Sequence, residues 1–295
     1  MLEQVICEHL QSNEALAAKL AIYDGKPAVF DYREPAADDP GWQDGARYGR
    51  IVFSLQIRDD PTRSRCGNLA VDVLSESNTQ LYKDMEPIVR NNLDGYFFVS
   101  DDKIISLKWI HRSPGRESMA AVCEGVTMYF QVYCYPMKRP FAVNPASLLA
   151  SWCKSYVEST GQSAYFLAAG ETLPSVFKPT AEKPAFYWRL IKLEPCGWMK
   201  DRPGADFRTT SLQGHVIVPG QSEEEAELVL RLEQAIEKSE RIICDDLSMF
   251  VSKDDSADLT ADSMRQGQLT IKAAYGIAAD RTASDKLQNV SIEMK

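Results

Sequence analysis

Two stretches of this 295-residue chain run through the same grammar, and that repetition constrains the fold more than any single motif. The first, CGNLAVDVLSESNTQLYKDMEPIVRNNLDGYFFVS from Cys66 to Ser100, opens as an alternating strand, Leu69-Ala-Val71-Asp-Val73, and then becomes an amphipathic helix pattern. Between them lies Ser77-Asn-Thr-Gln80, a capping box in which the cap hydroxyl and the third residue satisfy each other's orphan backbone donors. In the second stretch, His215-Val-Ile-Val218 leads into Ser222-Glu-Glu-Glu225, again a capping box, with acids in the first turn where the helix dipole favours them. The apolar stripes match too. Leu81, Tyr82, Met85, Ile88 and Val89 recur as Leu228, Val229, Leu232, Ala235 and Ile236, each 147 positions on.

Other elements keep the same order. Each half opens on a helix pattern, LEQVICEHL or ASLLASWCKSYV, followed by an irregular stretch that ends in an aromatic-rich strand, YGRIVFSLQI or PAFYWRLIKL. Each closes on a glycine and a long strand, Gly125-VTMYFQVYCY and Gly267-QLTIKAAYGI. The expected fold class is therefore α+β, with two similar domains, each a mostly antiparallel sheet with its helices packed on one face. The boundary fits Pro136-Met-Lys-Arg-Pro140-Phe-Ala-Val-Asn144, where two prolines bracket two basic residues and Asn144 or Ser147 caps the next helix. That divides the chain into domains 1–138 and 139–295, the second a diverged copy with a C-terminal extension.

Pro87 predicts a kink in the first copy's helix, and EEEAELVLRLEQAIEKSE predicts a longer, straighter one in the second. KIISLKWIH and VTMYFQVYCY are expected to form a hairpin, as are LSMFVS and QLTIKAAYG. Their connections, 112–124 and 253–266, are longer than ordinary hairpin turns and are expected to meet a partner or become ordered on assembly. Met119, Ala120, Ala121 and Val122 place apolar residues inside the first of them. Trp198, in the Gly/Pro loop EPCGWMKDRPG, suits either a fold-back contact or an interface. The interface candidates are Arg112, Arg116, Met119, Val122 and Trp198.

The hydrophobic share of 44% and charged share of 25% are those of a soluble globular protein. No apolar run approaches the roughly 18 residues that would span a bilayer. The first residues carry glutamates where a signal peptide would carry lysines, so a cytosolic site of synthesis is expected. Seven scattered cysteines without a CxxC pair predict reduced thiols, with neither a disulfide framework nor a zinc site. The net charge is -9 with no basic patch in either half, which disfavours sequence-specific nucleic-acid binding.

Candidate chemistry is sparse. His9, His111 and His215 fall in three different elements, the last at the start of a strand, and are expected to be packing or surface residues. The pairs Asp38-Asp39, Asp59-Asp60, Asp101-Asp102 and Asp254-Asp255 sit in turn contexts, where Asp satisfies local backbone donors. No GxSxG elbow, phosphate-cradling glycine loop, HExxH or dinucleotide fingerprint is present. The expectation is a protein that is not an enzyme, with no catalytic, cofactor-binding or metal residues.

The first half, through EALAAKLAIYDGKPAVFDY, RYGRIVFSLQIRDD, RCGNLAVDVLSESN, Ile88-Val-Arg-Asn-Asn-Leu93 and VTMYFQVYCY, resembles the tail-terminator or tail-completion proteins of tailed bacteriophages and prophages. The likeness covers residues 1–136 in pattern, and 144–277 is a looser second copy. It implies a structural virion protein, assembled in the host cytoplasm, whose ring terminates the tail tube and joins it to the neck. Implied partners are other copies of itself, the tail tube protein and a head-tail connector or neck protein. DNA would only pass through the lumen, and no membrane is involved. Family members are usually single-domain and form six-subunit rings, so a duplicated chain departs from the pattern. Divergence between the copies favours six chains with one copy in the ring, and three chains supplying six alternating units is the second arrangement. Two other classes stay open: a non-viral ligand-binding or accessory protein with a cleft between two α+β domains, and an enzyme with a dispersed site, which would show a cluster of strongly shifted carboxylates in a closed pocket.

Overall fold

The structure is a computed structural model that describes residues 1–43, 47–58, 66–100, 103–115, 123–136, 144–196, 205–239, 241–244, 247–251 and 255–278. The first half runs α1 (Leu2–Gln11), α2 (Glu14–Ala17), a small ribbon of β1 (Ile22–Tyr23) and β2 (Lys26–Pro27), then β3 (Val29–Asp31), β4 (Arg50–Ile57), β5 (Gly67–Glu76), α3 (Leu81–Leu93), β6 (Phe97–Ser100), β7 (Lys103–Pro114) and β8 (Cys123–Cys134). The second runs α4 (Pro145–Ser159), β9 (Tyr165–Phe166), β10 (Val176–Phe177), β11 (Ala185–Pro195), β12 (Ala205–Ile217), α5 (Ser222–Ser239), β13 (Arg241–Cys244), β14 (Leu247–Val251), β15 (Ser256–Ala257) and β16 (Leu269–Ala278). The class is α+β, and pairing is antiparallel except where β3 meets β4 and β9 meets β11.

The larger sheets follow one plan. Sheet 1 has the order β10-β6-β7-β8-β5-β4-β3, and sheet 2 has β13-β14-β16-β12-β11-β9 with β15 beside β16. Matching by order and register lays β6, β7, β8, β5, β4 and β3 on β13, β14, β16, β12, β11 and β9, with the one parallel pair in the same place. The extra strand β10 comes from the second half of the chain and pairs antiparallel with β6, so sheet 1 is completed from beyond the linker.

Each sheet carries its helices on one face. Leu2, Ile6 and Leu10 of α1 and Met85, Val89 and Leu93 of α3 share a core with Phe53, Val71, Phe98, Ile105 and Phe130. Leu149, Cys153 and Val157 of α4 and Val229, Leu232 and Ile236 of α5 share another with Phe186, Trp188, Leu212 and Ile271. The i, i+3, i+4, i+7 spacing read from sequence is the stripe that faces each sheet. Helix α3 continues through Pro87, and α5 at 18 residues is longer than α3 at 13. Asn144 caps α4 as expected, its side chain accepting from the Ala146 N–H at 3.0 Å.

Neither capping box forms, because tertiary partners take the groups. Helix α3 starts at Leu81, one residue after the expected box, with Gln80 left-handed at φ 53°. The Gln80 N–H donates across the sheet to Glu124 Oε1 at 2.9 Å rather than to a local cap. Ser222 lies inside α5, and Glu225 turns away to accept from the Val218 N–H at 2.9 Å and Gln268 Nε2 at 3.0 Å. His215 likewise does not begin a strand; it lies near the end of the 13-residue β12.

The cysteine expectation also needs correction. Cys66 and Cys134 form a disulfide, with Cα atoms 5.8 Å apart and a separation of 68 positions in sequence. The cause is register: β5 and β8 pair Gly67 with Val132, which brings the two cysteines diagonally together at the ladder's end. No local spacing motif could have announced that. Cys7, Cys123, Cys153 and Cys196 are not in disulfides. Non-reducing peptide mapping should recover one linked species joining the Cys66 and Cys134 peptides; finding both only as single alkylated peptides would refute the pairing.

Candidate functional site

Strand alternation gives each sheet a second face, opposite its helices. On β6 and β8, Phe98 and Val132 face the helices while Phe97, Tyr133 and Tyr135 face away; on β11, Phe186 and Trp188 face the helices while Ala185 and Tyr187 face away. These outward residues meet. Phe97, Ile104, Tyr133 and Tyr135 of sheet 1 pack with Leu167, Ala185, Tyr187 and Ile217 of the second half in one buried cluster. Tyr135 is fully buried, its ring 5.3 Å from Phe97 and 5.4 Å from Tyr187, edge-on to the latter. Its hydroxyl lies 3.0 Å from Ser106 Oγ and donates to the Met264 carbonyl at 3.2 Å.

Polar contacts rim this junction. Lys108 pairs with Asp262 at 2.5 Å; burial pulls the lysine pKa down, but the bond and charge of Asp262 outweigh it and leave the pKa raised. Lys178 donates to the Asp94 carbonyl at 2.8 Å, and the Val99 N–H to the Ser175 carbonyl at 2.8 Å. The described part of the 253–266 loop is thus not left waiting for another molecule. Met264 is buried in the junction, and β15 pairs with β16.

Glu225 sits beside the same loop. Burial pushes its carboxyl above the ordinary range, more than its hydrogen bonds from Val218, Ser263 and Gln268 lower it. An acid whose folded pKa is raised contributes stability that is full below the unfolded value, 4.5, and lost as pH rises through the folded value. Relative to Glu225→Gln, the protein should therefore lose melting temperature as pH climbs from 4.5, when both are followed by circular dichroism. A relative gain over that window would contradict the burial argument.

Among the described residues nothing covers the matching face of sheet 1. Over β3, β4 and β5 lies an open groove of about 1310 Å³, continued along β7 and β8 past Ser113, Thr127 and Tyr129. Its floor includes Arg50, Val52, Ser54, Asp72 and Leu74, and its wall Arg33, Glu34 and Arg47. Arg50 is 9% exposed, paired with Glu34 and donating to the Arg47 carbonyl at 2.8 Å. Asp72 accepts from Thr127 Oγ1 at 2.5 Å.

Of the sequence-derived interface candidates, Arg116, Met119, Val122 and Trp198 lie outside the described residues. Arg112 does not belong to a loop, since β7 runs on to Pro114 and pairs Arg112 with Met128. Its guanidinium pairs with Glu86 of α3, close to where Arg90 stacks 3.8 Å from the Trp109 ring. The histidines are dispersed. His9 donates at 2.9 Å to the Asn92 carbonyl with its pKa lowered by burial, His111 stacks on Tyr129 at 4.8 Å, and the 1%-exposed His215 meets the Ser263 carbonyl at 2.6 Å. Asp39 accepts from the Gly41 N–H at 2.9 Å, the expected turn role, while Asp59, Asp60, Asp101, Asp102 and Asp254 lie outside the described residues. Among the described residues no group of three or more His, Cys, Asp or Glu could hold a metal ion, and no helix is long and apolar enough to cross a membrane.

Sequence reading missed the junction, although a signal existed. Ala185-Phe-Tyr-Trp188 is apolar at four successive positions, the mark of a strand buried on both faces, whereas Arg50-Ile-Val-Phe-Ser54 mixes polar residues into the matching strand.

No protein-family model matches the sequence, and no curated protein matches it. Among solved structures, the chain is similar to one described as "Virion of native gene transfer agent (GTA) particle". The TM-score is 0.33 at 18% identity, over 45% of this chain and 93% of the other.

Proposed function

We propose that this chain is a structural protein of a tailed phage or a related particle, built from two copies of one α+β unit, and that it forms a ring terminating the tail tube where the tube joins the neck. The observation that carries this reading is the element order of sheet 1. An opening helix, the strand β5, the helix α3 and the closing β7–β8 hairpin follow the plan on which the tail-terminator resemblance rests. Its recurrence in sheet 2 supports the two copies. In this reading the chain is not an enzyme, its partners are further copies of itself, the tube protein and a neck protein, and DNA passes through the lumen.

The alternative, a ligand cleft between two domains, would need open space where the halves meet. The centre of that junction is filled by Phe97, Tyr135, Tyr187 and Ile217, and a depression of about 310 Å³ lies at its rim near Val99 and Leu173. Native mass spectrometry and particle images, with and without purified tail tubes, test the proposal. Closed rings seated on tube ends are expected. A strictly monomeric species at high concentration, unchanged beside tubes, would refute it.

A further inference from the structure

The contact between the two halves joins unlike surfaces. The β6–β7–β8 corner of sheet 1 packs on the β9–β11–β12 corner of sheet 2, and these corners are not equivalent under the match of the two sheets. One contact between two matched units leaves, among the described residues, one corner of each kind unused: β3–β4–β5 on sheet 1 and β13–β14–β16 on sheet 2. We propose that these two unused corners bind each other between chains, the β13–β14–β16 corner of one chain seating in the groove over β3–β4–β5 of a second copy. This rests on the reading of the two halves as copies of one unit.

Two observations support it. First, register places the groove at the seat itself. Ala185, Tyr187 and Ile217, which hold sheet 1 within the chain, match Arg50, Val52 and Leu74, all of which line the groove. Second, the outer edge of β6 is closed by β10, a strand lent by the neighbouring unit, whereas its match β13 ends its sheet with no strand beyond it among the described residues. An open edge is a template for pairing with another chain.

At the positions of Phe97, Tyr133 and Tyr135 the donor corner carries Arg241, Ala274 and Gly276, a charge and two small residues in place of three aromatic rings. That difference has a physical basis. The intrachain contact forms once, on folding, and can be apolar, while an interchain surface meets water before assembly and an apolar patch there would aggregate. A contact of unlike surfaces closes into a ring when its rotation permits, and both units of each chain then alternate around that ring. This departs from the arrangement in which only one copy forms the ring.

Photocrosslinking of the full chain tests the contact. Benzoylphenylalanine is placed at Val52 and, separately, at Ser54, both in the groove, with folding checked by circular dichroism and mass in solution recorded for each. The expected result is an interchain crosslink whose captured peptide lies within 241–251 or 269–278. In addition, Arg241→Glu should raise the concentration for half-assembly at least tenfold. Closed assemblies whose crosslinks map elsewhere would overturn this contact and leave the ring proposal standing. Crosslinks absent from a folded, strictly monomeric protein would overturn both.

Discussion

Replacing Gly214 with valine should unfold the second half of the protein or leave it without fixed packing. A Cβ at this position would lie 2.4 Å from Cζ3 and 2.5 Å from Cη2 of Trp188, the residue directly across the ladder. Trp188 is 1% exposed and wedged under α4 and α5, so it has nowhere to move without opening the core. Expelling it costs about 3–5 kcal/mol, the range for losing a buried Trp, against a total stability of roughly 5–15 kcal/mol. Sheet 1 shows how the same ladder position is filled with the volume divided more evenly, for Phe53 stands opposite Val71 where Trp188 stands opposite Gly214. The double variant Trp188→Phe with Gly214→Val should therefore recover more than half of the loss. Denaturant titration of wild type, both single variants and the double variant provides the cycle. If Gly214→Val alone melts like the wild type, or the double variant is the worst of the set, the packing account fails.

Tyr135→Ala should uncouple the two halves. The substitution empties a fully buried site between Phe97 and Tyr187 and strands the Met264 carbonyl and Ser106 hydroxyl that its phenol serves. The expected cost is about 3–5 kcal/mol, because cavity and lost hydrogen bonds combine. The form of the loss is more telling than its size. Each sheet keeps its own helix-side core, so calorimetry should split one transition into two, whereas Tyr135→Phe, which removes only the hydroxyl, should cost about 1 kcal/mol and keep one transition. A single cooperative transition for Tyr135→Ala would show that the halves are held together elsewhere, at Lys108–Asp262 or by β10 on β6.

Much of the architecture was written in local pattern. Helices were legible from the spacing of Met85, Val89 and Leu93 and of Val229, Leu232 and Ile236, because a helix needs only one apolar stripe to dock on a sheet. Hairpins were legible from long alternating strands, β7 with β8 and β14 with β16. Local pattern failed where a distant group competed. Glu124 took the donor that the Ser77 box should have satisfied, and Val218 with Gln268 took Glu225.

The amino-acid sequence by itself determined which elements form, their order, and which face of each helix turns inward, since these depend on spacings of two to four residues. Only the tertiary structure decided that Cys66 meets Cys134, that Val176–Phe177 crosses to complete the first sheet, and that Tyr135 seats between Phe97 and Tyr187. Each of these is a meeting of residues far apart in the chain. The period-two alternation of a strand says that it has two faces; what covers the second face is set by how whole sheets pack, and no short window of residues carries that information.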